Sequence, residues 1–224
     1  KGEIKMDSAI EKVGLYDFFG VFLSGMLIVT ICHYIGIPTI GFTNSLDNDF
    51  ISVLIFLLAS YFIGLVLQEF SSMLDRKICF LKFREKARSN FLNADNDVVE
   101  NSLELQDYQN IGNKLLNKAE QPVLYSATEC EYVYYSCKTF LELHSANDKV
   151  SRINSLFGMS RSFLIALPCI FCAYIYFNYS SLNVWIICAL VLLTILFYRR
   201  SKRFSEYKVR VILRQYKLLS QKED

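Results

Sequence analysis

Four stretches of the chain carry no Lys, Arg, Asp or Glu: Phe18 to Ile37, Phe50 to Leu67, Ser162 to Tyr179 and Leu182 to Tyr198. None alternates apolar with polar positions, and each is apolar around its whole helical circumference. A bilayer-crossing helix needs about 20 mostly apolar residues, within about 17–25, because each adds about 1.5 Å against a ~30 Å hydrocarbon core. One such run fits a buried helix of a soluble core. Four predict an all-α membrane protein with four transmembrane helices. The expected organisation is a first transmembrane hairpin over 14–68, a cytoplasmic helical segment over 69–161, a second hairpin over 162–198 and a basic cytoplasmic helix over 199–224. The first run exceeds a signal-peptide core and has no A-x-A-like cleavage site after it, so it reads as an uncleaved anchor.

Composition agrees: 53% of the 224 residues are hydrophobic and 15% aromatic, with a mean hydropathy of +0.26. The net charge of +2 says little, whereas its distribution says much. Segment 38–49 has no base and carries Asp47 and Asp49, and the connection at Asn178, Ser180, Ser181 and Asn183 is uncharged. Arg76, Lys77, Lys82, Arg84, Lys86 and Arg88 follow the second run, Lys149, Arg152 and Arg161 precede the third, and Arg199, Arg200, Lys202 and Arg203 follow the fourth. The positive-inside rule then places both termini and the middle segment in the cytoplasm of a multi-pass inner-membrane protein. Cysteines lie in the runs or the middle segment, away from both outer loops, and indicate no external disulfide framework. Tyr34, Tyr174, Tyr176, Tyr179 and Trp185 gather at the expected outer interface, with Tyr16 and Tyr198 at the inner one.

Asp17 falls at the cytoplasmic edge of the first span, where a carboxylate costs less than at the midplane. It reads as a hydrated interfacial acid or as a partner of Arg161 or Arg199. Within the runs, Gly20 with Ser24, Ser60 with Gly64, and Cys169 with Ala173 are spaced four apart, a pattern that lets helix backbones approach in lipid. Pro168 is a candidate kink. His33 reads as a wetted interfacial anchor.

In the middle segment, Phe70, Leu74, Ile78 and Leu81 continue the second span's helical spacing, predicting one long helix through this region. Residues 93–97, NADND, read as a polar turn rather than a calcium loop, since the motif's glycine and terminal glutamate are missing. Ser126 and Glu129 form a candidate capping box. The helix it opens carries Cys130, Val133, Tyr134, Cys137, Phe140, Leu141 and His144 on one face. Residues seven apart on one helix are separated by ~10.5 Å, so Cys130, Cys137 and His144 cannot together hold zinc. The stripe is a packing face. Phe204, Val211 and Leu218 recur at heptad spacing in the basic tail, which is expected to dock on it. The cations near the membrane have a topological explanation, so nucleic-acid binding is not expected. No phosphate loop, nucleophile elbow or paired metal motif occurs, and neither an enzyme nor a cofactor is expected.

YDFFGVFLSG, YFIGLVLQEFSSMLDRK, KVSRINSLFGMSRSF and RRSKRFSEYKVRVILRQY together resemble small four-span bacterial inner-membrane proteins, some of which accompany anti-phage defence systems. The resemblance implies an accessory or membrane-disrupting role and no catalytic residue. The leading expectation is an oligomeric effector or accessory protein, in contact with membrane lipids and a cytoplasmic protein partner, whose spans permeabilise the membrane. The alternatives are a non-conducting scaffold that recruits soluble proteins and, third, a small transporter, weakened by the lack of midplane charge.

Overall fold

The computed structural model describes residues 17–35, 49–78, 81–93, 102–118, 124–144 and 148–223, and contains only helices and turns among them. A π-helical turn, Asp17–Phe22, leads into α1 (Leu23–Tyr34). Then follow α2 (Asp49–Lys77), α3 (Phe83–Leu92), α4 (Ser102–Leu116), α5 (Ala127–Leu143), α6 (Asp148–Phe177) and α7 (Val184–Glu223).

Among the described residues, three helices, α2, α6 and α7, are long and apolar enough to cross a membrane. The expectation of four is met in part, for these three. The first run supplies a 12-residue α-helix, about 18 Å long at 1.5 Å per residue, plus the π turn, while residues 36–48 fall outside the described set. The long helix expected beyond the second run also stops sooner. It ends at Lys77, and a turn closed by the Leu81 amide on the Ile78 carbonyl (3.0 Å) separates it from α3. Pro168 lies inside α6, whose helix runs on past it. The NADND stretch beyond Asn93 lies outside the described residues.

The chain divides into two compact units, Lys1–Leu74 with Asn154–Ser201 and Asp75–Ile153 with Lys202–Asp224. In unit 1, α6 is the interior helix: 61% of its apolar window is buried, against 11% for α2 and for α7. Phe163, Leu167, Ile170 and Tyr174 share a buried cluster with Ile28, Ile35 and Leu190, and Phe163 stacks on Phe197 with ring centroids 4.8 Å apart. The other two helices turn large apolar side chains outward, among them Leu58, Phe62 and Val66 of α2 and Leu192, Ile195 and Leu196 of α7. Soluble monomers rarely show contiguous apolar surface on this scale. Tyr34, Tyr176, Tyr179 and Trp185 are exposed, but Tyr174 is buried, its hydroxyl accepting the Asn183 amide at 3.0 Å. It belongs to the packing rather than to an aromatic belt.

Unit 2 closes a core of its own. Phe91, Tyr108, Val133, Cys137, Leu141, Val150, Ile212 and Leu213 are all within 2% of complete burial. Aliphatic and aromatic side chains share that burial, each Val, Leu, Ile or Phe worth about 1.5–3 kcal/mol when fully removed from water.

Candidate functional site

Two places bring chemistry-bearing or contact-limiting residues together, one in each unit.

In unit 1, α1 and α2 cross at backbone contact. A Cβ at Gly25 would stand 1.8 Å from the Ser60 carbonyl oxygen, and one at Gly64 would stand 2.1 Å from the Val21 carbonyl oxygen. Only glycine tolerates such approach. Of the small residues singled out by spacing, Ser60 and Gly64 lie at this crossing. Gly20 and Ser24 are buried, and the Ser24 hydroxyl turns back to the carbonyls of Gly20 (3.0 Å) and Val21 (2.8 Å). Gly25, one residue on, makes the contact instead. Cys169 faces outward and Ala173 is half-buried.

Arg161 is buried, 4% exposed. Its Nε donates to Ser71 Oγ at 3.1 Å, Ser71 donates onward to the Gln68 carbonyl at 2.8 Å, and the guanidinium lies over Phe157, 5.3 Å from the centroid. Arg199 is exposed on α7. The side chain of Asp17 lies outside the described set, so pairing of Asp17 with either arginine does too.

Unit 2 holds the stripe of α5. Cys130, Val133, Tyr134, Cys137 and Leu141 are buried in the core. Burial pushes the Cys137 thiol up to about 12 and the Cys130 thiol up to about 11, so both are poor nucleophiles. Phe140 is half-buried and meets Tyr216 of α7 edge-on at 5.0 Å. His144 departs from the face: it is exposed at the C-cap, its Nδ1 2.8 Å from the Phe140 carbonyl oxygen. Along the tail, Val211 is buried and Phe204 half-buried, but Leu218 is 61% exposed. A straight helix drifts about 20° per heptad, so a seven-residue stripe rotates off the contact. The buried line runs instead through Ser205, Val209, Ile212 and Leu213.

Charged and polar side chains, none prominent in the sequence, tie these helices at their rims. Glu104 of α4 accepts from the Tyr108 hydroxyl and from Arg214 Nε (2.7 Å), with Arg210 Nε at 3.8 Å, and Lys217 donates to Asp107 at 2.5 Å. Burial disfavours the charged form of Glu104, yet the bonds from Arg214 and Tyr108 and the nearby positive charges outweigh it and hold the carboxyl below its ordinary range. Tyr125 bridges two helices: its amide donates to Asn93 Oδ1 (2.6 Å), its carbonyl accepts from Asn93 Nδ2 (3.0 Å), and its hydroxyl donates to Asn113 Oδ1 (2.5 Å). Gly112 leaves room for that ring, since a Cβ there would lie 2.8 Å from the hydroxyl oxygen. At the start of α5 the Ser126–Glu129 capping box is formed. The Lys118 ammonium and the Ser126 amide hold the Glu129 carboxyl down at about 2.

A cleft of about 610 Å³ opens beside this core, lined by Asp75, Arg76, Arg84, Arg88, Glu131 and Tyr135 among others. Asp75, almost fully buried, pairs with Arg84 Nε at 3.0 Å. Arg88 donates to Glu131 at 2.8 Å and lies 5.0 and 5.4 Å from the ring centroids of Tyr134 and Tyr135. The basic run 76–88, a topological signal in the sequence, also supplies Arg76, Arg84 and Arg88 to the cleft wall. Comparison with known proteins found no matching family model, no matching characterised protein and no matching solved structure.

Proposed function

We propose that the chain is a multi-pass bacterial inner-membrane protein that recruits a soluble partner to the cytoplasmic face without conducting, with the first apolar run completing a fourth span. The observation that carries this reading is the contrast on the outer faces of α2 and α7. Leu54, Leu58, Phe62 and Val66, and Leu192, Ile195 and Leu196, are exposed and apolar. A conducting path is lined by carbonyls, charged rings or water-filled surface, and these outward faces present Leu, Ile, Val and Phe. Lipid tails satisfy them instead. Unit 2, with its own closed core and a charged cleft, is suited to meeting a partner in water. The clusters Arg76–Lys77 and Arg199–Arg200, placed after apolar runs, support cytoplasmic termini.

Permeabilisation by a homo-oligomer is the second reading, favoured by the outward-facing Cys169 and half-buried Ala173 of α6, small residues against which a second copy can pack. A role in anti-phage defence rests on the sequence resemblance alone. Proteoliposomes filled with a self-quenched dye separate the two readings. Recruitment predicts no dye release at any protein density, whereas release that grows with density favours the oligomeric pore. A fluorescent reporter fused after Asp224 is expected to be active only on the cytoplasmic side.

A further inference from the structure

The cleft of unit 2 has the size of a site for a small organic molecule, since such sites run to about 300–1,000 Å³. Its charges leave a surplus. Asp75 is spent on Arg84, Glu131 on Arg88, and Glu85 on Lys82, which stands outside the lining, at 3.0 Å. Arg76 remains, exposed and with no carboxylate within ion-pair reach among the described residues. Arg88 adds unused donors. Its side chain is only 12% exposed, a guanidinium carries five N–H groups, and the one hydrogen bond it makes among the described residues uses Nη1. Tyr134 and Tyr135 flank its plane.

These features select the ligand class. An amine would need an unspent carboxylate, and the cleft's acids are all engaged. A neutral ligand would leave the cation of Arg76 and the donors of Arg88 unanswered. A carboxylate has two coplanar oxygens suited to one guanidinium fork, whereas a phosphoryl group offers three oxygens in different directions to two arginines and a hydroxyl. Thr128, whose Oγ1 also lies 3.0 Å from Ser126 Oγ, brings that hydroxyl to the lining. The first turn of α5 contributes little field, because Glu129 already sits at its amides.

We propose that this cleft binds the phosphoryl group of an organic phosphate through Arg76 and Arg88, with the exposed edge of Tyr135 against the organic part. The site is independent of how many helices cross the membrane and of whether a protein partner is recruited. Its ligand is either a soluble phosphate ester or the headgroup of an anionic phospholipid, which present the same group.

Calorimetric titration of the full chain in phosphatidylcholine nanodiscs, with glycerol 3-phosphate and inorganic pyrophosphate as probes, tests the proposal. Saturable binding is expected, weakened about tenfold by R76Q, which alters an exposed side chain and leaves the fold intact. E131Q releases Arg88 from its carboxylate and should tighten binding severalfold. Repeating the titration in discs doped with phosphatidic acid separates the sources: lost heat there identifies the lipid headgroup, and unchanged heat identifies the soluble ester. Absence of saturable binding in phosphatidylcholine discs, or binding unmoved by both R76Q and E131Q, overturns the proposal.

Discussion

The two units solve the same problem, burying helices, by opposite means. Unit 1 brings α1 and α2 to backbone contact at Gly25, Ser60 and Gly64 and leaves leucines and phenylalanines outside. Unit 2 buries Phe91, Leu92, Leu141, Ile212 and Leu213 in a core of its own and places carboxylates, arginines and amides around the rim. The first pattern suits a surrounding that is itself apolar, where close van der Waals contact rather than apolar burial favours association. The second suits water, where burial drives folding and polar groups fix the arrangement. One chain of alternating segments thus carries two surface chemistries, and the change falls where its charge blocks begin.

Substitutions can break this contrast, and the largest effect belongs to the helix crossing. Gly25→Leu must displace the α2 backbone at Ser60, which cannot yield as a flexible side chain would. A loss of about 3 kcal/mol or more is expected, read as failure to give a monodisperse particle in detergent. Next comes a paired test of inside against outside. Leu141→Ala, at a fully buried site of unit 2, should cost about 2–5 kcal/mol by denaturant titration. Leu192→Ala, 65% exposed in unit 1, should leave the same transition within about 0.5 kcal/mol.

A smaller effect tests the rim. Glu104→Gln weakens the bonds to Arg214 and Tyr108, and with Arg214 largely exposed the cost should be about 1 kcal/mol. The pH signature has a definite sign. A carboxyl whose folded value lies below its ordinary 4.5 stabilises fully above that pH, and the contribution disappears as pH falls through the lowered folded value. Stability of the wild type should therefore decline more steeply below pH 4.5 than that of E104Q, measured by thermal unfolding across the acid range.

What the sequence disclosed followed the range of each signal. Apolar runs reveal helices because the signal is repeated at every residue, and the Ser126–Glu129 box is legible because its partners lie three residues apart. Gly25 was missed because closeness depends on the facing backbone at Ser60, 35 positions away (60 − 25). Asn93 and Tyr125, bonded across 32 positions, leave no local mark. Leu218 was misplaced because a heptad count ignores the drift of a straight helix. Four charge-free runs read alike, yet among the described residues three become helices long enough to cross a bilayer, while the first is divided between a π turn and a short α-helix.

The claim that apolar faces of unit 1 are covered by lipid is most directly tested by thiol labelling in native membranes. Cys169, Cys172 and Cys188 are exposed on α6 and α7 among the described residues. In variants keeping one of these cysteines each, a membrane-impermeant maleimide applied from both sides should leave all three unlabelled until the bilayer is dissolved by sodium dodecyl sulfate. Rapid labelling of all three in intact membranes would contradict the account.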